Sequence, residues 1–257
     1  MIYSSIALQS FVRSEARTKP RSRKFTRLLL PLGLVGLLIT GVACGDSGSG
    51  DSGVSPQEAS ASEPESTTQK KPAIVFLGDS LTAGRGLAAS ESAPALIAEK
   101  LEAGGYGYEV INAGRSGDTT AGGLARLPWY LEDEVQPRVL VIGLGSNDAM
   151  RGLPLAEIET NLSKIVSAAR AYNADMQIFL YQMYTFPNMG PQYAKDYERL
   201  FGKVAKAENI VLLPFPLLDV AGVAKLNQPD GIHPTAEGTR IMAENIWKGL
   251  KPHLKQN

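Results

Sequence analysis

Five short apolar runs alternate with longer amphipathic segments over residues 73–257, and this alternation restricts the fold more than any other feature of the sequence. Each run is apolar almost throughout, which predicts a buried β-strand. The predicted strands cover residues 73–78, 108–114, 138–145, 176–183 and 209–215. Strands without a polar face need cover on both sides, as in a parallel sheet between two layers of helices. We therefore predict an α/β fold.

Amphipathic helices are predicted in the segments that connect and follow these strands. They cover residues 92–103, 121–134, 155–172, 192–208 and 235–250, where apolar side chains recur at helical spacing. Pro128 lies inside the second segment and is expected to interrupt it. The alternation of strands and helices indicates one globular domain over residues 73–257.

The first 72 residues differ in composition from this domain. Seven basic residues and one acidic residue precede the uncharged segment 28–43, and Cys44 follows it as the only cysteine. The uncharged segment is shorter than the ~20 residues that a membrane span needs. The order resembles a bacterial lipoprotein signal, although Gly41 stands where a larger aliphatic residue is usual. It implies that residues 1–43 direct export and that Cys44 is lipidated; an ordinary cleaved signal and an uncleaved anchor are the alternatives.

Residues 44–72 comprise Cys44 and a predicted flexible tether over residues 45–72. They are rich in serine, glycine, proline and acidic residues, and Val54 is their one sizeable aliphatic residue. Such a segment cannot bury enough apolar surface to offset the entropy lost on ordering. Its root-mean-square reach is roughly 30 Å. We therefore expect an exported, periplasmic domain that a lipid anchor holds near a membrane.

Residue counts exclude several kinds of site. The single cysteine rules out an intrachain disulfide and a cysteine nucleophile within the domain, and the two histidines, His233 and His253, disfavour a metal site built on several imidazoles. Beyond residue 44 the chain carries 19 basic and 25 acidic residues, which argues against nucleic acid as a partner. We expect a monomer that needs neither a metal nor an organic cofactor.

Polar motifs follow the predicted strands at one edge of the sheet. They are GDSLTAG (78–84), GRSGDT (114–119), GSND (145–148) and DGIHP (230–234). The carboxyl ends of parallel strands meet at the same edge, which is where α/β proteins bind their ligands. We therefore expect these four segments to form one site.

The residues of these motifs fit a serine acyl hydrolase. Ser80 needs a base, and His233 is the credible one, with Asp230 three residues earlier to orient the imidazole. The backbone N–H groups of Ser80 and Gly117 and the side-chain amide of Asn147 are candidate oxyanion donors. Structural roles are the alternatives: a helix N-cap for Ser80, a turn glycine at Gly117 and a helix cap at Asn147. The G-x-S-x-G elbow of α/β-hydrolases is absent around Ser80.

The four motifs, in this order and spacing, resemble the GDSL or SGNH hydrolases. The longer segments LGDSLTAG and SGDTTAGGLARLP resemble most closely the thioesterase I/protease I/lysophospholipase L1 group, which includes arylesterases. The similarity extends over about residues 73–252. Ser146 departs from the Gly-Gly-Asn that is frequent in the third motif, outside the catalytic set.

The resemblance implies a fold, a mechanism and roles for five residues. The fold is a flavodoxin-like three-layer α/β/α sandwich with a five-stranded parallel sheet of order 2-1-3-4-5. Ser80 is implied to be the nucleophile, with Asp230 and His233 completing the triad and Gly117 and Asn147 as oxyanion donors together with Ser80.

The function implied is that of a serine esterase that cleaves carboxylic esters or thioesters through an acyl-enzyme. An envelope polysaccharide deacetylase of the same fold is one alternative, and a lipoprotein that only binds lipid or glycan is another. Two segments are predicted to line the substrate pocket: residues 149–154, and the aromatic and Met-rich segment that begins at Met183 and ends at Tyr193.

Overall fold

The computed structural model describes residues 70–256. The predicted export segment, Cys44 and the tether up to residue 69 lie outside these residues. The described part contains five strands: β1 (Ala73–Gly78), β2 (Glu109–Gly114), β3 (Pro137–Gly143), β4 (Gln177–Tyr181) and β5 (Val211–Leu213). All strand pairs are parallel and the order is β2-β1-β3-β4-β5, so the predicted sheet and its order are confirmed.

Seven α-helices lie in the described residues. They are α1 (Ser80–Ala83), α2 (Ala93–Ala103), α3 (Thr120–Arg126), α4 (Ser146–Met150), α5 (Leu155–Tyr172), α6 (Pro191–Ala207) and α7 (Ala236–Leu250). Helix α2 packs against α7, whereas α5 packs against both α3 and α6. Right-handed crossovers place these two groups on opposite faces of the sheet, which gives the three layers. No helix within residues 70–256 is both long and apolar enough to cross a membrane.

The helix predicted over residues 121–134 is wrong in extent. It begins at Thr120, where the Thr119 side chain accepts a hydrogen bond from the backbone N–H of Gly122, and it ends at Arg126. A 3₁₀ turn follows over Leu127–Tyr130. Pro128 has no N–H to continue the α-helical ladder, and its ring clashes with the preceding turn. The chain then turns and enters β3 at Pro137.

The core lies on both faces of the two central strands. Every residue of β1 is buried, and β3 is buried except at Arg138. The predicted apolar face of α5 is also buried, through Ile158, Leu162, Ile165, Val166 and Ala169. Because β1 lies between β2 and β3, its six residues cross the middle of the sheet from Ala73 at the amino edge to Gly78 at the carboxyl edge.

Glycines at the carboxyl edge allow α1 to lie directly against the sheet. A Cβ atom on Gly114, the last residue of β2, would lie 2.2 Å from the backbone nitrogen of Ala83 in α1. A Cβ atom on Gly78 would lie 2.0 Å from the Thr82 hydroxyl oxygen. No side chain fits at either position unless α1 moves. The position of Ser80, the first residue of α1, therefore depends on these two glycines.

We predict that Gly114→Ala displaces α1, destabilises the protein by ~1–3 kcal/mol and lowers activity, because the added methyl group meets backbone atoms. Gly202→Ala is the control, since Gly202 lies inside α6 and its nearest neighbouring atom would be 3.9 Å from the new Cβ. That control should be more stable by up to about 1 kcal/mol. Urea unfolding and ester hydrolysis measure both effects. Unchanged stability and activity in Gly114→Ala would contradict the packing argument.

Candidate active site

Three predicted side chains meet at the carboxyl edge of the sheet. The Ser80 hydroxyl oxygen lies 2.9 Å from Nε2 of His233, and Nδ1 of His233 lies 2.6 Å from Oδ2 of Asp230. Ser80 and His233 are buried, at 8% and 6% exposure, whereas the Asp230 side chain is 40% exposed. The order hydroxyl, imidazole, carboxylate is the one in which an imidazole can take a proton from a serine.

The turn that carries Asp230 and His233 is held by its own backbone. Oδ1 of Asp230 accepts hydrogen bonds from the N–H groups of Ile232, at 2.9 Å, and His233, at 3.0 Å. Gly231 has φ +71°, a left-handed conformation that glycine adopts without strain. Desolvation raises the pKa of Asp230, but the hydrogen bonds from His233 and Ile232 outweigh it and lower the pKa to about 2. The carboxylate is therefore ionised at neutral pH and faces the imidazole.

Ser80 does not cap the helix it begins. Asp79 is the N-cap of α1, and its Oδ1 accepts a hydrogen bond from the N–H of Leu81 at 3.0 Å. The N-cap alternative for Ser80 is therefore wrong. Because the neighbouring aspartate satisfies the helix end, the serine hydroxyl can interact with His233.

Asn147 and the segment that contains Gly117 are joined to each other and to Asp79. Nδ2 of Asn147 donates to the backbone carbonyl of Asp118 at 2.9 Å and to Oδ2 of Asp79 at 3.3 Å. Gly117 has φ +85°, and its carbonyl accepts a hydrogen bond from Arg151 at 2.8 Å. Asn147 lies inside the short helix α4 and is buried, and its predicted alternative as a helix cap does not apply because Gly145 is the N-cap.

Comparison with known proteins decides the family. A model of the GDSL-like lipase/acylhydrolase family matches residues 76–241, which include all four motifs. The chain belongs to this family. The chain is therefore an ester-hydrolysing serine hydrolase, and the predicted family resemblance is confirmed.

Named relatives of this hydrolase are esterases and thioesterases. Esterase TesA of Pseudomonas aeruginosa is 42% identical over 181 residues, which are 70% of this chain and 89% of that protein. The Escherichia coli K12 protein named thioesterase 1/protease 1/lysophospholipase L1 is 36% identical over 179 residues, 70% of this chain and 83% of that protein. The solved structure of the psychrotrophic esterase EstA from Pseudoalteromonas, inhibited by monoethylphosphonate, has a TM-score of 0.67 at 32% identity and covers 71% of this chain and 98% of that chain.

The sequence did not indicate Arg126, the most buried cation near the site of this hydrolase. It is 3% exposed, forms an ion pair with Oδ2 of Asp118, and donates to the carbonyl of Gly78 at 2.8 Å. A charged residue within a predicted amphipathic helix is normally expected on its solvent-exposed face. Asp118 precedes the N-cap of α3, so helical spacing does not pair it with Arg126.

Asp148 joins the helices behind the site. Its Oδ2 accepts from the N–H of Thr120 at 2.9 Å and its Oδ1 accepts from the Thr120 hydroxyl at 2.6 Å. Asn161 on α5 donates to the same hydroxyl at 3.1 Å. These bonds hold α3, α4 and α5 together, so Asp148 contributes to the scaffold around the neighbouring Asn147.

The depression in front of the serine is shallow and encloses no space for a water molecule. Ser80, His233, Leu81, Leu87 and Pro234 line it, together with Gly84, Arg85 and Thr239. A larger cavity of about 190 Å³ opens at the other end of β4 and β5, where Arg170 and His253 lie. The Ser80–His233 pair therefore does not line this cavity.

The predicted pocket walls are partly core. Met183 is 2% exposed and belongs to the core, and Tyr193 stacks on Tyr197 and donates from its hydroxyl to the carbonyl of Leu153 at 3.1 Å. Met150 and Tyr184 are 41% and 45% exposed at the carboxyl edge. Tyr184 also packs edge-on against Phe215, with the ring centroids 5.0 Å apart.

Asp79 is an ionisable group buried without a cationic partner among residues 70–256. Burial raises its pKa to about 6, against the lowering effects of the Leu81 N–H, His233 and Ser146. The folded protein therefore holds a proton on Asp79 at pH values where the unfolded chain has lost it. Stability from this proton is complete below the unfolded pKa of about 4 and disappears as the pH rises to about 6.

We predict that Asp79→Asn becomes progressively more stable than the parent protein between pH 4 and pH 6, with the difference constant above that range. The total change is about 3 kcal/mol, since each pKa unit corresponds to about 1.4 kcal/mol. Asparagine is also a good N-cap, so the helix end is kept. Urea unfolding of both proteins at pH 4, 5, 6 and 7 measures the difference. Parallel stability curves would rule out a raised Asp79 pKa.

Proposed function

We propose that Ser80, His233 and Asp230 are the catalytic triad of this esterase and that it works through an acyl-enzyme. The observation that carries the proposal is the unbroken series of contacts from the Ser80 hydroxyl through the imidazole to the carboxylate, at 2.9 and 2.6 Å. Ordinary structural serines do not need a buried imidazole oriented by an ionised carboxylate.

The reaction follows from these contacts. Ser80 Oγ attacks the acyl carbon while Nε2 of His233 takes its proton, and Asp230 stabilises the resulting imidazolium at Nδ1. The imidazolium returns the proton to the leaving alcohol or thiol as the C–O or C–S bond breaks. Water, activated by the same imidazole, then adds to the acyl-enzyme and releases the acid and Ser80.

The oxyanion donors proposed are the N–H groups of Ser80 and Gly117 and an Nδ2–H of Asn147. Support comes from the hydrogen bonds that join Asn147 to Asp79 beside Ser80 and to Asp118 beside Gly117, at 3.3 and 2.9 Å. These bonds bring the three segments to one place, and fixed donors stabilise the negative charge of the tetrahedral intermediate without reorganising.

The substrate class proposed is acyl esters and thioesters with an aliphatic acyl chain. Two relatives bear the names esterase and thioesterase/lysophospholipase. Leu81 and Leu87 line the depression beside Ser80, and exposed Met150 and Tyr184 lie at the same edge of the sheet. These apolar surfaces favour an acyl chain over the acetyl group of a polysaccharide.

We predict that Ser80→Ala and His233→Ala each lower kcat by a factor on the order of 10⁶, and Asp230→Ala by somewhat less. Asn147→Ala should lower kcat by a factor on the order of 10²–10³, the usual effect of losing one oxyanion donor. Ser167→Ala, an exposed serine on α5, is the control and should retain full activity. The assay is p-nitrophenyl butyrate hydrolysis, with mass spectrometry to verify each variant. Normal turnover by verified Ser80→Ala would refute the triad.

A series of p-nitrophenyl esters from acetate to palmitate tests the substrate class. Ser80-dependent activity that peaks above acetate supports the acyl-chain proposal. A steep preference for acetate supports the deacetylase alternative instead. Failure of the protein to react with a fluorophosphonate serine probe would revive the alternative of a protein that only binds its ligand.

We also propose that the enzyme is an exported, monomeric, periplasmic lipoprotein, anchored through Cys44 and a flexible tether over residues 45–72. The basic segment, the short uncharged segment and the single cysteine after small residues support this proposal. The reach of such a tether, roughly 30 Å, lets the domain stand away from the membrane.

We predict that the full-length protein incorporates labelled palmitate in a bacterial host and that Cys44→Ala abolishes the label. The reason is that lipid attachment at this kind of signal requires the cysteine thiol. Globomycin, which blocks lipoprotein signal peptidase, should cause the precursor to accumulate. Label that persists in Cys44→Ala would refute the anchor and leave the catalytic proposal untouched.

A further inference from the structure

We propose that Asp79 is a positioning residue that orients the side-chain amide of Asn147, so that its NH₂ group and not its carbonyl serves the oxyanion. This inference rests on the proposed role of Asn147. It assigns to Asp79 a task beyond capping α1. One carboxylate then caps the helix that begins with Ser80 and also orients the Asn147 amide.

The orientation of the Asn147 amide is set by its acceptors. The two oxygen atoms near Nδ2 are the carbonyl of Asp118, at 2.9 Å, and Oδ2 of Asp79, at 3.3 Å. Neither a carbonyl nor an ionised carboxylate can donate a hydrogen bond. Rotation of the amide by 180° would place its oxygen against both of these oxygen atoms. The two acceptors therefore favour the rotamer in which the NH₂ group of Asn147 faces them.

The two contacts differ in strength. An amide NH₂ group has two hydrogens, and both have a protein acceptor. An oxyanion that forms beside Ser80 must therefore share or displace one acceptor. The contact with Asp79 is the longer and weaker of the two, whereas the bond to Asp118 is of normal length. Asp79 thus holds the amide in place before reaction, and its bond is the one that yields to the oxyanion.

Aspartate is the N-cap residue that can perform both tasks. Its Oδ1 accepts from the N–H of Leu81, and its Oδ2 accepts from Asn147. Asparagine offers one acceptor oxygen and serine a single hydroxyl, although both cap helices well. Asp79 is 1% exposed and, within residues 70–256, no lysine or arginine forms an ion pair with it. A neutral cap would avoid the cost of burying this charge, so a purely structural role does not account for the carboxylate.

The test is a double-mutant cycle on the full-length protein with Asp79→Asn, Asn147→Ala and the combination. In Asp79→Asn the cap oxygen is kept, but an NH₂ group faces the Asn147 amide and favours its rotation. We expect kcat to fall by a factor on the order of 10 to 100 with KM changed less than about twofold, because the loss is confined to the charged intermediate. In the Asn147→Ala background the same change should lower kcat by less than about threefold.

Two further measurements separate positioning from a structural role. Asp79→Ser also keeps a cap and lacks the second acceptor. It should therefore lower kcat when Asn147 is present and change kcat little in the Asn147→Ala background. The unfolding temperature of Asp79→Asn at pH 7 should equal or exceed that of the parent protein, whereas loss of a structural residue lowers it.

The outcomes distinguish this inference from the proposed function. If Asn147→Ala is slow but Asp79→Asn has parental kcat, or if the two effects multiply fully in the combined variant, the positioning role is refuted and the oxyanion role stands. If Asn147→Ala itself has parental kcat, the proposed oxyanion role fails and the inference fails with it.

Discussion

The buried guanidinium of Arg126 is the interaction on which the polar arrangement under the nucleophile depends. It donates to the carbonyl of Gly78, directly before Asp79 and Ser80, and it forms an ion pair with Asp118. The backbone of Asp118 in turn receives the amide of Asn147. Arg126 therefore joins the end of β1 to the segment that follows β2. Asn147 of α4 is bound to the same segment through the carbonyl of Asp118. Removing one partner of such a buried pair typically costs ~3–5 kcal/mol, because the other charge is left unpaired.

Much of this molecule could be predicted from its sequence because the deciding patterns are local. The continuous apolar runs predicted all five strands and their parallel arrangement, and the spacing of Ile158, Leu162 and Ile165 predicted α5 to its terminal residues. The sequence predicted that Ser80, His233 and Asp230 would meet, because a serine nucleophile needs a base and the chain has two histidines. The order and spacing of the four motifs predicted the family.

The parts that the sequence did not predict depend on contacts across elements. The burial of Arg126 follows from its reach to Asp118 and Gly78, which helical periodicity does not encode. The position of Asn147 inside α4 follows from a five-residue helix, which is too short to show a periodic pattern. The second task of Asp79 becomes visible only when Asn147 and the cap of α1 are seen together. For Arg126 and Asp79, the missing information is the distance in space between residues far apart in the chain.

The direction of β1 determines where the rest of the chain joins the domain. Ala73 lies at the amino edge of the sheet, and Ser80 follows at the carboxyl edge after a single strand of six residues. At ~3.3 Å per residue, the strand separates the two edges by roughly 20 Å. Ala73, the first residue of β1, and Ser80 thus lie at opposite edges of the sheet. An enzyme immobilised on a support through residues ahead of Ala73, or fused there to a carrier, would keep the edge that carries Ser80 turned toward the solution.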